Sequence, residues 1–223
     1  MSARRGCAVL DLSFLGIANA AAVYHNLSTP ALYEQAIRRR EGTVSHLGPL
    51  VVHTGQYTGR SARDKFVVSE PSHRDEIWWG EHNKPFEEHN YTRIKQRLLA
   101  FLQNREIFVQ DCYTGADPRY RLPIRIVSEK AWHNMFARDM FLKEFDPLVL
   151  EQFRPAFTVI DAPDFQAIPE TDHTRTGSFI LVHPAEELVI IGGTSYAGEI
   201  KKAVFTVATY LLPGQGVLPI RCS

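Results

Sequence analysis

Ile190-Ile-Gly-Gly-Thr-Ser-Tyr-Ala-Gly-Glu-Ile-Lys-Lys-Ala-Val-Phe-Thr-Val-Ala-Thr-Tyr-Leu-Leu-Pro213 is the stretch around which the rest of the chain is read. The apolar run from Leu188 to Ile191 breaks at Gly192 and Gly193, and a helical pattern follows. At about 100° per residue, Ile200, Val204, Val207 and Leu211 fall on one face, with Lys202 and Thr206 nearly opposite. That is a strand, a glycine turn and an amphipathic helix.

A strand feeding a helix through glycines aims backbone N–H groups and first-turn side chains at one point, which suits an anionic ligand. Tyr196 lies just before the helix and Lys202 in its early turns, away from the core face. Periodicity alone also allows the plainer reading of a turn followed by a solvated lysine.

Composition narrows the classes of partner. Lys plus Arg and Asp plus Glu each total 25, so no net field favours nucleic acid or a membrane surface. A hydrophobic content of 44% in 223 residues supports a sizeable core. Cys7, Cys112 and Cys222 are odd in number and lack C-x-x-C spacing, which argues against a disulfide framework and a zinc knuckle and fits a reducing cytoplasm. Arg4 and Arg5 before an apolar run faintly imitate an export signal, but Asp11 interrupts that run. No stretch approaches the roughly 20 apolar residues of a membrane span.

Upstream, Ser28 or Thr29 can cap a helix with Pro30 at its first position, an apolar stripe of Leu32, Ala36 and Ile37, and Gly42 as its stop. Leu50 to His53 and Lys65 to Val68 read as strands on either side of a tight loop. That loop's glycines and threonines can bring backbone amides close to a ligand, with Arg60 at the rim. Pro71 to Asn90 reads as a solvated excursion. Its histidines and acids, among them His73, Glu81 and His82, lack a metal-ligand spacing.

Asn90 can cap a helix carrying Ile94, Leu98, Phe101 and Leu102. Glu106 to Tyr113 alternates as a strand, and Leu122, Ile124 and Ile126 form the buried face of the next. Arg121 and Arg125 sit on or near its opposite face, exposed or paired with an acid such as Asp117. Ser128 is expected to cap a helix whose Trp132, Met135, Phe136 and Met140 stripe is core, with His133 a hydrogen-bonded structural residue. Phe157 to Asp161, Phe179 to Val182 and Leu188 to Ile191 read as strands, the last two as a hairpin, with Ala162 to Gly177 as loop.

Three blocks carry a family resemblance. Gly193-Thr-Ser-Tyr-Ala-Gly-Glu-Ile-Lys-Lys202 resembles a signature of the ATP-dependent phosphoenolpyruvate carboxykinases. Thr54-Gly-Gln-Tyr-Thr-Gly-Arg-Ser-Ala-Arg-Asp-Lys-Phe66 resembles a second, with Ala62 where a proline is usual. The third runs from Gly115-Ala-Asp-Pro118 through Arg125 to Ala131-Trp-His-Asn-Met-Phe136; the blocks stand in the family's order, and the resemblance covers the chain from about Asn26 to Pro213.

The resemblance implies an α/β fold with a mixed central sheet flanked by helices, the substrate-side domain at the amino-terminal end of that family. It divides the chain into a weakly matching segment 1–25, the domain 26–213, and 214–223 as the start of a nucleotide-binding domain. The family converts oxaloacetate and ATP to phosphoenolpyruvate, ADP and carbon dioxide. By resemblance Arg60 clamps the substrate carboxylate, Tyr196 lines the carboxylate and carbon dioxide pocket, and Lys202 ligates a transition metal.

The intact family uses Mn2+ and Mg-ATP, but no cofactor is expected in this chain. A histidine ligand of the family is replaced by Arg221, followed by Cys222 and Ser223, and a guanidinium has no lone pair for a metal. No G-x-x-x-x-G-K-[ST] phosphate loop occurs in the 223 residues. Val217 to Ile220 reads as a buried strand, which implies a chain cut within a larger fold.

These features predict a cytoplasmic chain that is inactive alone. The other readings are a carboxylate-binding module for oxaloacetate or phosphoenolpyruvate, or a fragment needing a C-terminal nucleotide-binding chain, with self-association through an unpaired edge as a further route.

Overall fold

A computed structural model describes residues 10–219. The expectations placed on Arg4, Arg5, Cys7, Ile220, Arg221, Cys222 and Ser223 fall outside those residues. The strands are β1 (Ala22–His25), β2 (Gly42–Val44), β3 (Leu50–Val52), β4 (Lys65–Ser69), β5 (Pro85–Glu87), β6 (Glu106–Thr114), β7 (Leu122–Ser128), β8 (Leu142–Lys143), β9 (Phe157–Ala162), β10 (Phe179–His183) and β11 (Leu188–Gly192). The helices are α1 (Thr29–Arg38), α2 (Glu88–Leu102), α3 (Ala131–Met140), α4 (Pro147–Glu151), α5 (Pro169–Asp172) and α6 (Gly198–Leu211).

One mixed sheet runs in the order β1-β6-β7-β9-β11-β10-β4-β5, with β8 added beside β6. Its pairings are mostly parallel; β6 with β7, β6 with β8 and β10 with β11 are antiparallel. Helices cover both faces, so the central strands are nearly continuous apolar runs. Leu188 and Ile190 of β11 point into one layer with Tyr91, Ile94, Leu98 and Leu102 of α2. Val189 and Ile191 point into the other with Ile200, Ala203, Val204 and Val207 of α6. Each such side chain withdrawn from water contributes about 1.5–3 kcal/mol, and this double layer holds α6 across the sheet.

Several local readings change in three dimensions. Ser28 does cap α1, accepting the Ala31 N–H at 3.4 Å, and Leu32 and Ala36 are buried, but Ile37 is exposed. The helix ends before Gly42, which opens β2. Strands β2 and β3 pair only with each other, so the Arg60 loop links two sheets and is not a hairpin within one. The excursion from Pro71 contains β5, parallel to β4.

Asn90 lies inside α2, buried and accepting from Arg93, and Glu87 holds the cap position. Strand β6 is buried on both faces, so its residues do not alternate in exposure. Ser128 remains in β7 and Lys130 precedes α3. The Trp132, Met135, Phe136 and Met140 stripe is only partly covered, and Ala131, His133, Asn134 and Ala137 are the buried set. Close packing of α1 on α3 explains this, because Leu32 and Ala36 fit against the small Ala131.

Arg125 pairs with Asp111, directly opposite it on β6, while Asp117 is held by Arg119. Arg121 instead lies 4.1 Å over the Tyr113 ring. Cys112 is buried, and its surroundings push the thiol pKa up. Val217 to Pro219 form no strand. No helix among the described residues is long and apolar enough to cross a membrane.

Candidate active site

The turn between β11 and α6 depends on Gly193, whose φ is +68° and whose α-hydrogen side faces the Gly177 carbonyl too closely for a β-carbon. Thr194 is fully buried, and its hydroxyl oxygen accepts the Tyr196 N–H at 3.2 Å. Behind the turn, the His133 Nδ1 donates to the Asp161 carboxylate at 2.5 Å, and its Nε2 lies 3.3 Å from the Ser195 carbonyl oxygen. This buried pair ties α3 and β9 to the residue before Tyr196.

On the other side of α6, residues 53–61 bring Arg60 to the helix. The Ser61 N–H donates to Glu199 Oε1 at 2.5 Å. Asp64, also buried, accepts from Arg175 at 2.8 Å and from the Ser178 hydroxyl at 3.3 Å, which anchors the approach to β4. Lys65 then opens β4 beside Ile180 of β10.

These elements converge on a cavity of about 770 Å³ lined by Arg60, Lys65, Glu199, Lys202, Phe205 and Trp78 among others. Burial pushes the Lys65 pKa down, the positive charges of Lys202 and Arg60 add to that, and Glu199 opposes it. Burial pushes the Glu199 pKa up against the Ser61 N–H and the Arg60 charge, with Asp161 and Asp64 also raising it. Among the described residues the Lys65 side chain forms no hydrogen bond or ion pair, and Lys202 extends 5.2 Å over the Phe205 ring. The lining thus carries three cations, Arg60, Lys65 and Lys202, and three carboxylates, Glu76, Glu81 and Glu199, and the cations lie close enough together for Lys202 and Arg60 to act on Lys65.

The structure thus brings Arg60 and Lys202 to one cavity. Tyr196 is half-buried nearby, its ring packed on Gly198, and is not among the residues lining that cavity. Lys65 and Glu199 are the members that the sequence reading missed. Glu199 stands three residues before Lys202, a spacing that places both on one side of a helix. Lys65 carried no such signal, because it reads as the first residue of a strand.

Among the described residues no three His, Cys, Asp or Glu side chains converge to hold a metal ion. Glu199, the carboxylate three residues before Lys202, accepts the Ser61 N–H. The described residues do not fit the ligand set of a manganese ion, and no step is derived through one.

The chain spans only part of the proteins it is similar to. It is 51% identical over 209 residues to a phosphoenolpyruvate carboxykinase (ATP) of Geotalea uraniireducens, covering 93% of this chain and 39% of that protein. It is 51% identical over 209 residues to the protein of that name from Geobacter metallireducens, with the same two shares. The Thermus thermophilus protein of that name is 49% identical over 215 residues, 95% of this chain and 41% of its own length. The family profile described as phosphoenolpyruvate carboxykinase matches residues 21–223, which include every residue lining the cavity. The chain belongs to the phosphoenolpyruvate carboxykinase family.

Proposed function

We propose that this chain forms the substrate-gripping side of a carboxykinase site, in a reaction that turns oxaloacetate and ATP into phosphoenolpyruvate, ADP and carbon dioxide. The observation that carries the reading is the convergence of Arg60, Lys65 and Lys202 on one recess with Glu199 beside them. Arg60 presents a planar fork that matches a carboxylate through two parallel N–H bonds. Lys65 and Lys202 supply positive charge where negative charge gathers as the enolate forms, which is the electrostatic contribution expected of such a site. Tyr196, on the turn that leads into α6, lines the approach for the carboxylate and carbon dioxide.

Phosphoryl transfer is not assigned to these residues. The 223 residues hold no G-x-x-x-x-G-K-[ST] sequence, the loop with which P-loop enzymes cradle a triphosphate on backbone N–H groups. A nucleotide-binding chain or segment that supplies the loop completes the reaction.

Calorimetry of the chain with oxalate and with phosphoenolpyruvate tests the reading. Binding that disappears in Arg60→Ala supports it, and absence of binding to the unsubstituted chain overturns it. A coupled assay with oxaloacetate and ATP is expected to show no phosphoenolpyruvate; product from the pure chain would overturn the division of labour.

A further inference from the structure

Arg60 stands on an irregular segment with little to hold it. Residues 53–61 belong to no strand or helix, and their internal backbone bond is the Tyr57 N–H to the Thr54 carbonyl at 3.1 Å. The Asp64 N–H, in the short turn that follows, donates to the Ser61 carbonyl at 2.9 Å, and a further hydrogen bond joins this segment to an element distant in sequence. It is the Ser61 N–H donation to Glu199, made across 138 positions of sequence. Glu199 is 5% exposed and lies in the first turn of α6, the helix that carries Lys202.

A carboxylate accepting a backbone N–H forms a bond roughly twice as strong as a neutral pair. Placed here, it sets the distance between the Arg60 backbone and α6 before any ligand arrives. Preorganisation of this kind lowers the ordering cost of binding. Resting on the reading of Arg60 as the carboxylate clamp, we propose that Glu199 is the positioning residue of that clamp, holding Ser61, and through it Arg60, at a fixed reach from Lys202. In this role Glu199 touches no substrate.

The carboxylate has two separable properties, its acceptor oxygen and its negative charge. Glu199→Gln keeps the acceptor and removes the charge; Glu199→Ala removes both. Ser61→Pro deletes the donor from the loop side, at a φ of −90° that lies about 25° from the proline ring's ordinary value.

The test uses the isotopically labelled 223-residue chain. Backbone dynamics of residues 54–61 are read without ligand by heteronuclear NOE, and oxalate affinity is read by calorimetry. Glu199→Ala is expected to loosen the segment and weaken oxalate binding about tenfold, whereas Glu199→Gln stays within about threefold of the parent. Ser61→Pro is expected to match Glu199→Ala, and the double variant to be no worse than either single one.

Unchanged order in Glu199→Ala overturns the proposal, as does Glu199→Gln loosening the segment as far as Glu199→Ala. If Glu199→Ala fails to fold, Glu199→Gln and Ser61→Pro decide the same question between them. Failure of the parent chain to bind oxalate sinks the clamp reading alone, since the ligand-free NOE comparison still reports whether Glu199 orders the segment.

Discussion

His133 and Asp161 form a fully enclosed pair, Nδ1 to Oδ2 at 2.5 Å, directly behind the peptide that precedes Tyr196. Replacing His133 by Ala strands a buried carboxylate and is expected to cost about 3 kcal/mol. Urea unfolding measures this. Near-ultraviolet dichroism should change in parallel, because the turn carrying Tyr196 loses its backing.

Asp111 faces Arg125 through two bonds of 2.6 and 2.8 Å and His25 through a third of 2.8 Å. Burial pushes its carboxyl pKa up, but the bonds from His25 and Arg125 outweigh that and hold it below the ordinary value of 3.8. A depressed folded pKa gives stability that is present above the unfolded value and is lost as pH falls through the folded one. Unfolding free energy should therefore drop as acid takes the solution below about pH 4. Asp111→Asn should unfold more easily at neutral pH and lose less on acidification, as urea titrations at several pH values will show.

Glu199 behaves in the opposite sense. Its folded pKa is raised above 4.5, so its ionisation works against folding as pH rises through that range and beyond. Glu199→Gln is expected to raise the Tm at pH 7, with the gain shrinking below about pH 4.5. A lower Tm at pH 7 would contradict the burial argument. A charge kept at a binding recess despite its cost to stability is a common compromise.

Gly193 allows no side chain. Its positive φ penalises any L-residue, and an added β-carbon would run into the Gly177 peptide. Gly193→Ala should cost about 2 kcal/mol or more, measured by thermal unfolding. It should also weaken oxalate binding by displacing the start of α6.

Much of the fold could be read from the chain because the decisive signals were local. The run from Leu188 through Gly193 into α6, the β10–β11 hairpin and the Ser28 cap each rest on neighbours in sequence. Partners set by register could not be read that way. Arg125 meets Asp111 only because β6 and β7 align antiparallel at that rung, so the nearer Asp117 was the more visible candidate. The α3 stripe misled for a related reason: the face a helix buries is chosen by what packs against it, and α1 came close enough to favour Ala131.

At the recess, Arg60 and Lys202 stood out through their motifs, and Lys65 joined them through the parallel pairing of β4 with β10, which no spacing announces. Tyr196 was expected beside them. The turn at Gly193 carries it to the start of α6, with its ring packed on Gly198.

The sheet order adds a consequence for how the chain assembles. Strand β10 lies between β4 and β11, so Arg60 reaches α6 only once β4 has zipped onto the β10–β11 hairpin, far along the chain from it. On the proposed function, a small diacid binds that finished arrangement and none of its precursors. By mass action its presence at a hundred times its dissociation constant should deepen the native well by about 2.7 kcal/mol, making oxalate a chaperone-like additive during refolding.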